Sequence, residues 1–142
     1  MKIYLIGSLR NPRVPFIGSE LRQAGFDVFD DWFAAGPQAD DCLWAYEQGR
    51  SHSCAEALTG YAAQHIFAFD KWHLERADVA VLIMPAGKSA FLELGIAVGQ
   101  GKWGYILLDK EPERIDIMFQ FAHGVTLDMA ELLQWLGGVN GR

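Results

Sequence analysis

The sequence predicts an α/β protein, a single-domain doubly wound parallel sheet of about five strands spanning residues 1–142. Three observations predict it. The runs KIYLI, DVAVLIM and WGYILL are apolar without alternation, as expected of strands covered on both faces. Segments with helical spacing separate them, and βαβα order favours a parallel sheet. The first two runs also lead into glycine- and serine-marked turns, which suit a chain doubling back into a helix.

The elements follow in order. Residues 2–7 form the first strand and SLRNPRVP a turn-rich loop. Phe16, Ile17, Leu21 and Ala24 mark the apolar side of the next helix, which Gly25 ends as a residue that tolerates positive φ. FDVF, residues 26–29, is the second strand, completing a β-loop-α-β crossover unit. Residues 30–50 are too long for a simple connection and interleave Trp32, Phe33, Trp44 and Tyr46 with four aspartates. They are expected to be either a lid or specificity loop, or short helical turns covering a sheet edge. From Ser53 a helix is predicted to Phe69, opened by an S-x-x-E capping box of Ser53 and Glu56. Its apolar side would carry Ala55, Leu58, Ala62, Ile66 and Phe69. A further helical segment covers Lys71 to Ala77 and would make Asp70 its N-cap. DVAVLIM is the third, central strand; 89–99 is a helix whose small residues let it lie close to the sheet; WGYILL is the fourth strand. A short fifth strand near Val125 and a helix from Asp128 to Leu136 complete a flavodoxin-like order, 2-1-3-4-5.

Composition narrows the function classes. A net charge of −6 argues against gripping a nucleic-acid polymer, which needs a basic track to displace counterions, but not against one small nucleotide. His52, His65, His73 and His123 lack metal-ligand spacing, so no metal is expected. Cys42 and Cys54 form no CxxC pair and are expected to be free thiols. No apolar run approaches the ~20 residues that span a bilayer, and no signal-peptide pattern opens the chain. The expectation is a cytoplasmic protein without membrane partners.

In an open parallel sheet, ligands bind beyond the carboxyl ends of the strands, where strand order reverses. Here that point lies between strands one and three, whose exits are GSLRN and PAGKSA. Gly7, Ser8, Arg10, Gly87, Lys88 and Ser89 can hold an anion there with backbone N–H groups. Ser89 is equally a natural N-cap, and Arg10 and Lys88 can be plain solvated charges. A Walker A loop would need glycine at position 82, which is Leu82, and no GxGxxG dinucleotide motif is present. Glu93 falls in the first turn after PAGKSA, among Phe91, Leu92 and Leu94. The macrodipole alone favours a carboxylate near a helix start. With Ser89 as cap, however, Glu93 is the fourth helical residue, one beyond a capping-box glutamate. A half-buried carboxylate aimed at a ligand crevice is a candidate nucleophile or base. Asp78 stands at the opposite end of its strand and is left out.

Taken together, GSLR after strand one, Asp70 eight residues before Asp78, the strand DVAVLIM and the run LELGIAVGQGK resemble the nucleoside 2-deoxyribosyltransferase family. They resemble also its relatives, the 2′-deoxynucleoside 5′-monophosphate N-hydrolases, and the resemblance covers residues 2 to about 108. It implies cleavage of an N-glycosidic bond in a small nucleoside or nucleotide, with Glu93 attacking C1′ and Asp70 positioning it or protonating the departing base. Ser8 and Arg10, assisted by Ser89, would take a 5′-phosphate. No cofactor or metal is implied, and relatives are commonly dimers or larger. The transferases carry an aspartate six residues before the glutamate, where this chain has Gly87. Its base-recognition role would pass to Asp30, Asp31 or Trp32, and hydrolysis is favoured over transfer. PAGKSAFLE is also similar to the PGGxGTxxE motif of phosphoribohydrolases that cut the same bond. The alternative is a non-catalytic nucleotide-binding or sensor protein on the same fold. For a homo-oligomer, Met129, Leu132, Leu133, Trp135 and Leu136 offer an interface, unless that helix packs on its own sheet.

Overall fold

The computed structural model describes residues 1–140. Strands β1 (Lys2–Ile6), β2 (Asp27–Phe29), β3 (Val79–Ile83), β4 (Trp103–Leu107) and β5 (Gly124–Thr126) form one sheet, all parallel, in the order β2-β1-β3-β4-β5. The expected order and class are therefore present. Every β3 residue is buried, which is why that run carries no polar alternation.

Helices cover both faces. On one face, α1 (Arg13–Gln23) and α6 (Met129–Asn140) pack Val14, Ile17, Leu21, Leu132 and Leu136 onto Ile3, Leu5, Val81 and Leu107. On the other, α4 (Tyr61–Arg76) and α5 (Lys88–Gly99) place Leu74, Ala90, Leu94 and Ala97 over Tyr4, Ile6, Ala80 and Ile106. The close fit of α5 comes from the sheet as well as the helix. A methyl group added at Gly104 would lie 2.5 Å from Val98 Cγ2, whereas Gly95 and Gly99 face open space. The apolar residues of α6 pack on its own sheet, Leu132 and Leu136 fully buried and Met129, Leu133 and Trp135 partly so.

Several sequence expectations are corrected. In α1 the buried side is Val14, Ile17, Gly18 and Leu21; Phe16 is 63% exposed and Ala24 lies past the helix. Gly25 does end it, at φ 95°. Of the two expectations for residues 30–50, the helical one is present: a 3₁₀ turn (Asp31–Ala35) and helix α2 (Ala39–Gly49) occupy them. The predicted 53–69 helix is divided. The Ser53–Glu56 capping box forms and starts α3 (Cys54–Leu58), but the chain breaks at Thr59–Gly60, and Gly60 caps α4. From there α4 runs unbroken through Asp70 and Lys71, so Asp70 sits inside a helix and caps nothing. The expected apolar side is exposed at Ala55, Leu58, Ala62, Ile66 and Phe69, while Ala57 and Leu74 are the buried residues. Period alone does not say which side a helix buries when apolar residues surround it.

Candidate active site

Two loops meet at the switch point between β1 and β3, and their backbone is held by side chains of the first. Asn11 is 4% exposed; its Nδ2 donates to Pro85 O (3.3 Å) and, more weakly, to Ile83 O (3.5 Å). Arg13 Nη1 donates to Met84 O at 2.9 Å. The β3–α5 loop, which contains a cis Met84–Pro85 bond, is thereby fastened to the start of α1. Neither residue stood out in the sequence, because their partners are backbone atoms more than seventy positions away.

Helix α5 begins two residues earlier than Ser89, as N-cap, would set it. Gly87 is the N-cap, without a side-chain bond, and Lys88 and Ser89 lie exposed in the first turn. Glu93 is consequently the sixth helical residue rather than the fourth. That weakens the macrodipole account, since the effect fades beyond the first turn.

Glu93 faces a cleft of about 610 Å³ between α4 and α5, and Asp70 faces the same cleft from α4. Tyr4 of β1 also lines it, and Phe67, Phe91, Leu92 and Ile96 make its walls largely apolar. Burial raises the Glu93 carboxyl to about 7, with the charge of Asp70 as second cause. Burial likewise raises Asp70 to about 6, with Asp40 on α2 adding to the shift. Tyr4, 1% exposed, has its hydroxyl pushed above the usual phenol range by burial and then by Glu93 and Asp70. Two carboxylates and a phenol in one half-dry cleft form the arrangement that supplies a nucleophile and a proton donor. Sequence reasoning missed Tyr4 and Asp40. Position 4 looked like one more apolar strand residue, and Asp40 was one of four aspartates in the 30–50 segment with no period to say which way it faced.

The other predicted residues gather near the strand ends and do not line that cleft. Gly7 is packed so tightly that an added methyl would lie 2.8 Å from Val14 Cγ2. Ser8 Oγ accepts from Arg10 N at 3.1 Å, and the Arg10 guanidinium pairs with Asp41 on α2 at the surface. Trp32 Nε1 donates to Leu5 O (2.8 Å), and its ring packs against both cores, a structural task. Asp31 is exposed in the 3₁₀ turn. Asp30 is 8% exposed and held by Arg22, so it is committed to an ion pair. Asp78 accepts from Lys2 N at 2.8 Å, a strand-start contact remote from the cleft. Among the described residues no cluster of three His, Cys, Asp or Glu has metal-ligand geometry. Cys42 and Cys54 are free and exposed. None of the described helices is long and apolar enough to cross a membrane.

This geometry can be set beside known proteins. A solved 2-deoxyribosyltransferase from the psychrotolerant bacterium Bacillus psychrosaccharolyticus superposes with a TM-score of 0.61 over 94% of this chain and 90% of its own, at 20% identity. The chain has the fold of that enzyme. The neighbour is described as a biocatalyst for nucleoside synthesis. No protein-family model and no curated protein sequence matches the chain. At this identity the 2-deoxyribosyltransferase fold is what the two share, and the chemistry has to be argued from the cleft.

Proposed function

We propose that this protein cleaves the N-glycosidic bond of (deoxy)nucleosides or their 5′-monophosphates, with Glu93 as nucleophile. The observation that carries the proposal is the convergence of Glu93 and Asp70, from separate helices, on one cleft beside Tyr4. The shared 2-deoxyribosyltransferase fold supports the same reading.

In the first step the ionised Glu93 carboxylate attacks C1′, forming an ester as the C1′–N bond breaks. The bond's electron pair leaves with the base, and Asp70 supplies the proton the base needs. In the second step water attacks C1′, gives its proton to Asp70, and Glu93 departs as carboxylate. Two carboxyl groups exchanging these roles is the strategy of retaining glycosidases. We assign Tyr4, which lines the same cleft and feels the charge of both carboxyls, to orienting Glu93. Apolar walls limit water, which strengthens each charge interaction inside. The two carboxyls account for both proton and nucleophile.

Gly87, standing where the transferases have an aspartate, favours water over a second base as acceptor. Ser8, Arg10 and Ser89, near the strand ends, are the groups we assign to a 5′-phosphate, with Gly7, Gly87 and Lys88 around them; Asp31 is assigned to the base, and Trp32 holds the turn that carries it. A homodimer or larger assembly fits the cleft's outer rim, where Phe67, Leu92 and Ile96 are 65%, 76% and 53% exposed. Light scattering on the purified chain reads that directly.

The test is incubation with nucleosides and their 5′-monophosphates, with chromatography for released base. Release from at least one substrate that Glu93→Ala abolishes supports the proposal. Full activity in Glu93→Ala removes the nucleophile assignment. A second free base in the mixture separates transfer from hydrolysis. Tight binding of a nucleotide without any release would make the protein a sensor instead.

A further inference from the structure

Glu93 is only as well placed as the helix that carries it, and α5 starts without a side-chain cap of its own. The loop before it is short on local hydrogen bonds. Pro85 has no N–H to give, and Gly87 offers no side chain to the α5 amides. Three successive carbonyls of that connection, Ile83 O, Met84 O and Pro85 O, point to α1: Arg13 serves the middle one, and Asn11 the two flanking it. Asn11 is also held from its own side. Its Oδ1 accepts from Arg13 N (3.0 Å), its N–H donates to Ser8 O (3.0 Å), and its carbonyl accepts from Val14 N (3.2 Å). One buried amide is thus fixed by the loop after β1 and in turn fixes the loop after β3.

We propose that Asn11 is a positioning residue for the reaction, acting through the β3–α5 loop on the placement of Glu93. The proposal rests on Glu93 being the nucleophile. It adds a residue that touches neither substrate nor reacting atoms. Without the Asn11 amide, the carbonyl of buried Ile83 is left to seek another donor and Pro85 O loses its tie to the loop after β1, and the cheapest relaxation is a shift of the loop and of the first turns of α5. Displacing a nucleophile by about 1 Å can cost on the order of a hundredfold in rate while leaving binding little changed. The signature is therefore a fall in kcat with KM nearly constant.

The experiment uses Asn11→Ala and Asn11→Asp, with Leu136→Ala as a control that weakens the core on the opposite face of the sheet. Amide exchange of residues 84–94 is followed in each, alongside kcat and KM on the substrate that the unmodified protein turns over. Expected for both Asn11 variants are faster exchange in that segment and kcat lower by roughly tenfold or more, with KM within about threefold. Leu136→Ala, although less stable overall, should keep its kcat. If exchange at 84–94 is unchanged in folded Asn11 variants, the clasp does not hold the loop and the inference is wrong. Faster exchange with full kcat overturns the positioning role alone. Should the unmodified protein release no base from any substrate, the nucleophile reading fails, and the exchange data still decide whether Asn11 orders the loop.

Discussion

Asp70 on α4 and Glu93 on α5 reach one cleft from different helices, and the charge on Asp70 helps hold the Glu93 carboxyl up at about 7. Asp70, at about 6, gives up its proton first; Glu93 then ionises against that charge. Such a pair loses its protons in two macroscopic steps that belong to both groups.

This ordering sets the pH dependence of turnover. Attack needs Glu93 ionised, while the departing base needs a proton on Asp70. Above the lower step and below the upper one, the pair holds a single proton, mostly on Glu93. The productive arrangement, Glu93 ionised with Asp70 protonated, is the minority form. The expected kcat/KM profile is a narrow bell with limbs near 6 and 7. A single limb rising through about 7 would show that Asp70 donates no proton and only positions Glu93.

The same shifts affect stability. A carboxyl raised on folding binds its proton more tightly in the native state. Its stabilising contribution is complete below the unfolded value of 4.5 and is lost as pH rises through about 7. Replacing Glu93 by Gln removes the cost of an ionised, largely buried carboxylate. Glu93→Gln should therefore melt several degrees higher than the unmodified protein near pH 8 and show little gain near pH 4, as calorimetry would record. Equal gains at both values would assign the effect to packing.

Tyr4 supplies a third prediction. Its hydroxyl is raised above the usual phenol range first by burial and then by the charges of Glu93 and Asp70. Tyr4→Phe keeps the ring that meets Phe29 at 5.3 Å. It should fold with near-normal melting behaviour and lose roughly tenfold or more in kcat. Unchanged kinetics would reduce Tyr4 to a core residue.

The sheet was legible because strands buried on both faces leave a signal that depends only on composition, as VAVLI does in β3. The placement of Glu93 after the exit of β3 followed from strand order; its pairing with Asp70 was implied only by the family resemblance, and on its own spacing Asp70 was expected at a helix start. What escaped were relationships between distant residues. Asn11 reads as an ordinary turn residue until its buried contact with Pro85 O is seen. The exposed side of α4 misled for another reason. Ile66, Phe67, Phe69 and Trp72 are apolar yet 46–65% exposed, so hydrophobicity did not mark the face turned to the sheet. In the 30–50 segment, aspartates and aromatics gave no period, and its helical turns are tied to the fold by distant contacts such as Trp32 Nε1 with Leu5 O and Asp41 with Arg10.

Gly18 is the clearest stability test of that region. A methyl group there would lie 2.1 Å from Asp30 Oδ2, in the way of the Arg22–Asp30 pair that pins β2 to α1. Gly18→Ala favours the helix by propensity, yet overpacking against a buried carboxylate should dominate, for a net loss of roughly 1–3 kcal/mol in denaturant unfolding. A neutral or stabilising result would mean that Asp30 moves aside freely.

The last prediction concerns the reach of α2 into the site. Asp40 is exposed in the first turn of α2, and its charge adds to the raised Asp70 carboxyl behind the larger effect of burial. Removing it by Asp40→Asn should lower the Asp70 step and extend the acidic limb of the rate profile downward, while the limb near 7 stays with Glu93. Because Asp40 is solvated, salt should mimic the substitution: raising ionic strength well above physiological shortens the Debye length to about 3 Å at 1 M and should move the unmodified protein's acidic limb the same way. The Asp40→Asn limb should then be nearly indifferent to salt. If both proteins respond equally, the charge reaching Asp70 comes from elsewhere, and the 30–50 segment contributes no electrostatics to the cleft.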